Sequence, residues 1–142
     1  MLTFAPDALE RMLAHAYAGL PDEACGLLLG TVDRVDRFFA CVNTAASSRI
    51  YAIGPKDFMA AEDEADSAGL TIVGVMHSHT HTEPYPSPTD VAQAIDPGWR
   101  YVIVSLKRDY PETRSYLIVN EEIFEEPIGI SGANISDETA RL

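Results

Sequence analysis

The run Leu70-Thr71-Ile72-Val73-Gly74-Val75-Met76-His77-Ser78-His79 joins the most β-branched, apolar segment of the chain to two of its four histidines. An uncharged run of this length, Leu70 to Met76, reads as a strand buried on both faces, and so as an inner strand of a sheet. Residues two apart on an extended strand point the same way. His77 and His79 therefore share a face at the strand's end. Two imidazoles held side by side there suit a first-row metal, most often zinc.

The elements around that strand can be read in the same way. Leu9, Met12, Leu13, Ala16, Tyr17 and Leu20 follow helical spacing over residues 5–20, and Gly19 and Pro21 close the helix. Ala24 to Val32 reads as a strand, with Leu27-Leu28-Leu29 buried on both sides, and Arg34 to Val42 as its partner across a turn near Asp33. Asn43 to Ser48 is loop by composition. Pro55 starts a second helix that runs to Gly69 with an acidic outer face, Glu62 to Asp66. After a proline-rich loop, a short helix is expected from Pro88 to about Ile95, then strands over 101–106, 114–119 and 123–127. The order α-β-β-α-β-α-β-β-β predicts an α/β domain, a mixed sheet flanked by helices in an α+β or three-layer arrangement. The domain is expected to span residues 1–128, with a polar, frayed tail over 129–142.

Composition narrows the function. At 142 residues the chain is one ordinary domain, and its 46% hydrophobic content is enough to form a core. Ten Lys and Arg stand against 22 Asp and Glu, a net charge of −12. Such a surface repels phosphate backbones and anionic lipid, so neither nucleic acid nor membrane is an expected partner. No apolar run approaches the roughly 20 residues needed to span a bilayer. No secretory signal is visible at residues 1–6, which makes a cytoplasmic protein with reduced Cys25 and Cys41 the expectation. Cys25 reads as a small packed hydrophobe and Cys41 as core. Neither belongs to a CxxC pair.

A catalytic zinc needs a third protein ligand and keeps one position for water. Asp90 is the candidate, eleven residues past His79 in the first turn of the short helix. Ser87-Pro88-Thr89-Asp90 also reads as a helix start, with Ser at the cap and an acid at the third helical position. The two readings are compatible, because a capped helix start is a rigid platform for aiming a carboxylate. Attack by a bound water requires a base. The HExxH solution is absent, since Ser78 stands where the Glu would be, and so is the zinc-deaminase signature. Glu23, a charge at the mouth of an apolar strand, is the best remaining carboxylate.

Glu23, His77-Ser78-His79, seven residues, Ser87, two residues and Asp90 form the pattern E…H-x-H-x7-S-x2-D. The chain thereby resembles the JAMM (MPN+) zinc metallopeptidases, also called the Mov34/MPN/PAD-1 family, over about residues 2–127. The resemblance implies a cytidine-deaminase-like three-layer JAB1/MPN fold and one zinc ion (Zn2+) held by His77, His79 and Asp90. It also implies Glu23 as general base and later proton donor, and Ser87 as hydrogen-bond donor to the oxyanion. His81 lies outside the motif and is expected to be a loop or supporting residue rather than a ligand. The stretches Pro21 to Gly26 and His77 to Ser87 also look like the short bacterial subgroup. That subgroup contains a peptidase acting on a ubiquitin-like sulfur-carrier protein in cysteine biosynthesis.

About ten residues separate Asp90 from the next strand, too few for the insertions by which eukaryotic deubiquitinases of the family grip a second ubiquitin. The expected activity is hydrolysis of an amide at the C-terminal glycine of a ubiquitin-like carrier ending in Gly-Gly, releasing cysteine. An isopeptidase removing a ubiquitin-like modifier from proteins is the alternative within the family. A non-catalytic scaffold is the alternative outside it, and the unbroken motif argues against that. A DNA-repair relative of the fold fits poorly with the charge. A homodimer is left open.

Overall fold

In the computed structural model, which describes residues 1–132, the strands β1 (Leu2–Phe4), β2 (Cys25–Thr31), β3 (Arg34–Cys41), β4 (Thr71–His79), β5 (Arg100–Ser105), β6 (Glu112–Val119), β7 (Glu122–Glu126) and β8 (Ile128–Ile130) form a single mixed sheet in the order β7-β6-β5-β4-β2-β3-β1-β8. The hairpin expected around Asp33 is present as β2 (Cys25–Thr31) and β3 (Arg34–Cys41). All three leucines of β2 are fully buried, as a strand covered on both faces requires. The histidine strand β4 (Thr71–His79) lies at the centre, antiparallel to β2 and parallel to β5 (Arg100–Ser105). It runs three residues beyond the expected end at Met76, because pairing continues: the Ser78 N–H donates to the Ala24 carbonyl and the Leu106 N–H to that of His79. The strands β6 (Glu112–Val119) and β7 (Glu122–Glu126) complete one flank antiparallel.

Two short strands escaped the sequence reading. β1 (Leu2–Phe4) and β8 (Ile128–Ile130) pair with each other in parallel, and β1 pairs in parallel with β3. Three residues are too few to show a period, and what holds them is partners distant in sequence. The expected boundary between domain and tail at residue 128 thus falls at the start of a strand, and Ile128 and Ile130 sit half-buried beside β1. Residues 133–142 of the expected tail lie outside the described residues.

A helix covers each face of the sheet. α1 (Pro6–Ala18) buries Ala8, Met12 and Ala16 against Phe4, Leu28, Val35, Met76 and Val102 on one face. α2 (Pro55–Ala68) buries Ala61 and Ala65 against Leu27, Leu29, Val75, Ile103 and Tyr116 on the other. Proline opens both helices, where its missing N–H goes unused, and α2 stops at Gly69, which takes the left-handed conformation with φ of 71°. Cys25 and Cys41 face one another across β2 and β3 as buried free thiols within the second core.

One irregularity sets which way the histidines point. Between β2 and β4 the register advances from Leu28↔Gly74 to Leu29↔Ile72, so Val73 is an extra, bulged residue. Beyond the bulge Val75, His77 and His79 share the α2 face, while Met76 and Ser78 share the other. Because β4 and β5 are parallel, the chain between them must cross back rather than turn tightly. That connection carries the loop over 80–87 and α3 (Pro88–Gln93), and it drapes both over the C-terminal end of β4.

Among the described residues, no helix is long and apolar enough to cross a membrane.

Candidate metal centre

His77 and His79 are 2% and 4% exposed, and their Nε2 atoms converge on one carboxylate oxygen of Asp90. The Nε2 atoms lie 3.1 Å apart, and Asp90 Oδ2 lies 3.2 Å from His77 and 3.1 Å from His79. Hydrogen bonds cannot account for all three edges of this triangle. His79 Nδ1 lies 2.8 Å from the Glu83 carbonyl, which can only accept, so in the neutral ring the proton sits on Nδ1. Nε2 of His79 is then a bare lone pair facing a carboxylate and a second imidazole. A proton on His77 Nε2 would serve only the two edges that meet at that atom; the edge between His79 and Asp90 then sets lone pair against lone pair, and a cation among the three atoms satisfies it. Tetrahedral ligands at about 2.0–2.1 Å from zinc would lie about 3.3 Å apart, close to the edges seen. The donor set therefore fits a divalent metal in number, type and spacing.

Electrostatics agree with this arrangement. Burial pushes the His77 pKa down and keeps that ring neutral, as a ligand must be, against the pull of Asp90. Burial also works against charge on His79, but the Asp90 carboxylate and the Glu83 carbonyl outweigh it, so its pKa is raised. Asp90 is itself buried enough to favour its neutral form. Hydrogen bonding from His77 and His79 reverses that and holds the carboxyl far below the usual range. A proton on His79 thus occupies the same niche as a cation would.

The expected helix start and the expected ligand coincide at Asp90. Ser87 caps α3: its Oγ accepts from the Asp90 N–H at 3.1 Å, while Asp90 Oδ2 accepts from the Ser87 N–H at 2.8 Å. The cap locks the carboxylate in place. It also leaves the Ser87 hydroxyl proton free to donate, because the oxygen is used only as an acceptor.

Glu23 sits across from these groups, 4% exposed, with Oε1 lacking any hydrogen-bond partner. Burial raises its pKa to about 7, with His79 opposing and the Asp90 charge adding to the rise. A carboxylate poised near neutrality is suited to accept and return a proton. Glu23, His79 and Ser87 line one cleft of about 620 Å³ together with Ser48, Arg49, Thr80, His81 and Thr82. His81 lines the cleft but stands outside the ligand cluster.

Several supporting residues were not legible in the sequence. Ser78, between the two histidines, points to the opposite face and accepts from the Ala24 N–H at 2.8 Å, tying β4 to the segment that carries Glu23. Tyr51 stacks on the His77 ring with centroids 4.5 Å apart. Asn43 donates to the Glu23 carbonyl at 3.0 Å. The Glu83 carbonyl is held in position by its neighbours: Ser105 Oγ donates to the Thr82 carbonyl at 2.6 Å, and the Tyr116 hydroxyl to that of Pro84. All are long-range contacts, and no local spacing announces them.

The chain matches a model of prokaryotic homologs of the JAB domain over residues 5–119. The chain belongs to this JAB-domain family. Its curated relatives include the CysO-cysteine peptidase of Mycobacterium tuberculosis, 37% identical over 133 residues, 92% of this chain and 91% of that protein. A desampylase of Haloferax volcanii is 37% identical over 111 residues, 73% of this chain and 80% of that one. Among solved structures, a protein from Desulfitobacterium hafniense superposes with a TM-score of 0.86 at 33% identity, covering 96% of this chain and 97% of the other. A JAB1/MPN domain protein from Archaeoglobus fulgidus superposes with a TM-score of 0.62 at 20% identity, over 91% of this chain and 96% of the other, which bears on the fold alone. The JAB1/MPN fold expected from the motif is the fold observed.

Proposed function

We propose that this JAB domain is a zinc-dependent hydrolase that cleaves an amide at the C-terminal glycine of a ubiquitin-like sulfur-carrier protein, releasing cysteine. The observation that carries the hydrolase reading is the triangle of His77, His79 and Asp90 with Glu23 across the same cleft. The similarity to a CysO-cysteine peptidase over nearly the whole length of both chains supports the carrier and the leaving group.

His77, His79 and Asp90 would hold the ion. When bound, zinc would supply Lewis acidity, lowering the pKa of the attacking water and polarising the scissile carbonyl. Glu23 takes the proton of that water as its oxygen attacks the carbonyl carbon. Ser87 donates its free hydroxyl proton in a hydrogen bond to the oxyanion of the tetrahedral intermediate. Glu23 then returns its proton to the leaving nitrogen as the C–N bond breaks, giving a carrier carboxylate and a free amine. Burial raises the Glu23 pKa against the pull of a nearby cation toward the carboxylate, which suits one group to both steps. A Gly-Gly terminus is a tail without side chains, which can lie in the cleft beside Glu23 and the loop over 80–87.

Similarity to a desampylase supports a second reading, an isopeptidase acting on a ubiquitin-like modifier. The two are separated by incubating the zinc-loaded protein with a Gly-Gly carrier bearing a C-terminal cysteine and, in parallel, with an isopeptide-linked conjugate, then weighing the products by mass spectrometry. Release of cysteine, blocked by a chelator and restored by zinc, is the expected result. Cleavage of the conjugate alone would make the chain an isopeptidase. Cleavage of neither would point to a scaffold.

A further inference from the structure

Among the described Lys and Arg side chains, all but Arg49 and Lys56 are engaged in ion pairs with carboxylates. Lys56 lies in the first turn of α2, whereas Arg49 lines the metal-centre cleft. A chain of net charge −12 has carboxylates to spare, yet among the described residues Arg49 is the one Lys or Arg lining the cleft, and it pairs with no carboxylate there.

Arg49 is also delivered there by a braced loop. Ser47 Oγ accepts from the Arg49 N–H at 3.0 Å, and the Ser47 carbonyl accepts from the Glu23 N–H at 2.8 Å. Next to it, the Ser48 carbonyl accepts from Thr80 Oγ1 at 3.1 Å, one residue beyond His79. Asn43 clamps the base of the loop, donating to the carbonyls of Glu23 and Ile50 at 3.0 Å and accepting from the N–H groups of Ala45 and Ala52. The backbone of Arg49 is thereby registered to both the proposed base and a proposed ligand.

We infer that Arg49 is a specificity-determining residue that binds the free α-carboxylate of the departing amino acid. This rests on the amide-hydrolase reading, with Arg49 and Glu23 lining one cleft. Arg49 lines the same cleft as Glu23, His79 and Ser87, so an anion that it binds there shares that cleft with the scissile bond. A Gly-Gly tail has no side chains, so it offers no anion there. The α-carboxyl carbon of a single C-terminal residue, in contrast, is always about 2.5 Å from the scissile nitrogen. A guanidinium fork matches a carboxylate with two parallel hydrogen bonds. An isopeptide-linked lysine presents nothing comparable, because its own carboxyl is far along the side chain and usually within a peptide bond. Arg49 therefore selects for a terminal amino acid over a protein leaving group.

The test pairs a change in the protein with a change in the ligand. A ubiquitin-fold carrier ending in Gly-Gly-Cys is prepared with a free C-terminal carboxylate and with a C-terminal carboxamide. Binding of each is measured by calorimetry to zinc-loaded Glu23→Gln protein, which should not turn it over, with and without Arg49→Gln. With Arg49 present, the carboxamide should bind about 10- to 100-fold more weakly, the range for one charge-assisted hydrogen-bonded pair. With Arg49→Gln the two carriers should bind alike. An equal penalty in both proteins, or none in either, overturns the inference. So does a uniform loss for both carriers on Arg49→Gln, which would place the arginine against the carrier body. Cleavage by the wild-type protein is followed separately: an intact binding cycle without hydrolysis would sink the hydrolase reading and leave the carboxylate site standing.

Discussion

Glu23 should destabilise the metal-free fold when it is charged, and Glu23→Gln measures by how much. The carboxyl is buried, and its pKa is raised from 4.5 to about 7 chiefly by desolvation. A raised folded-state pKa means that the folded chain prefers the protonated form. That preference contributes fully below pH about 4.5 and is lost as pH rises through about 7. At 1.36 kcal/mol per pH unit, the interval between those values corresponds to roughly 3 kcal/mol, a large share of the about 5–15 kcal/mol that holds a domain together. Glutamine keeps the shape and is neutral at every pH. Chelator-treated Glu23→Gln and wild type should therefore unfold at similar urea concentrations at pH 4.5, and the variant should be more stable by roughly 3 kcal/mol at pH 8. Zinc should narrow the gap, since a nearby dication favours the carboxylate. With zinc present, the same variant should lose on the order of 10²-fold or more in turnover while retaining its metal. A pH-independent stability difference, or a variant less stable than wild type at pH 8, would refute the account of Glu23 as a buried base in an unfavourable setting.

Other consequences can be checked as directly. His77→Ala should lose most of its bound zinc by metal analysis, whereas His81→Ala should keep a full equivalent; the reverse pattern would exchange their roles. Ser87→Ala should retain zinc but turn over about 10²–10³-fold more slowly, as for one lost oxyanion donor, and unfold about 1 kcal/mol more easily through the lost helix cap. Glu83→Ala should leave zinc affinity within about threefold, because the backbone carbonyl, not the exposed side chain paired with Lys107 and Arg108, fixes the His79 tautomer. Zinc affinity should fall as pH is lowered through the raised pKa of His79, with proton release on binding visible by calorimetry in buffers of different ionisation enthalpy. An affinity flat from pH 8 to 5.5 would show that the ion displaces no proton.

Much of this protein is written in local pattern. The apolar run before His77 is enough for an inner strand, the spacing of Leu9, Met12, Leu13 and Ala16 for α1, and Pro55 and Gly69 for the ends of α2. Strand alternation pairs His77 with His79 and a helix cap places Asp90 beside Ser87, whereas the roles of Glu23 and Ser87 come from the resemblance of the five-position pattern to the JAMM family. What local pattern cannot carry is contact between distant segments. β1 and β8 exist only because each finds a partner, over a hundred residues apart in the chain. Val73 is bulged because β2 and β4 meet in one register, and that meeting decides that the histidines face α2. Ser78, Tyr51, Asn43 and the Glu83 carbonyl support the centre from four separate stretches. Arg49 reads as an ordinary loop cation until folding carries it into the cleft with Glu23 and His79. Sequence determines the groups and their local aim, since those depend on backbone period and side-chain chemistry. Only the tertiary structure decides which of them share a low-dielectric pocket, and so which lone pairs converge and which carboxyl holds its proton near neutrality.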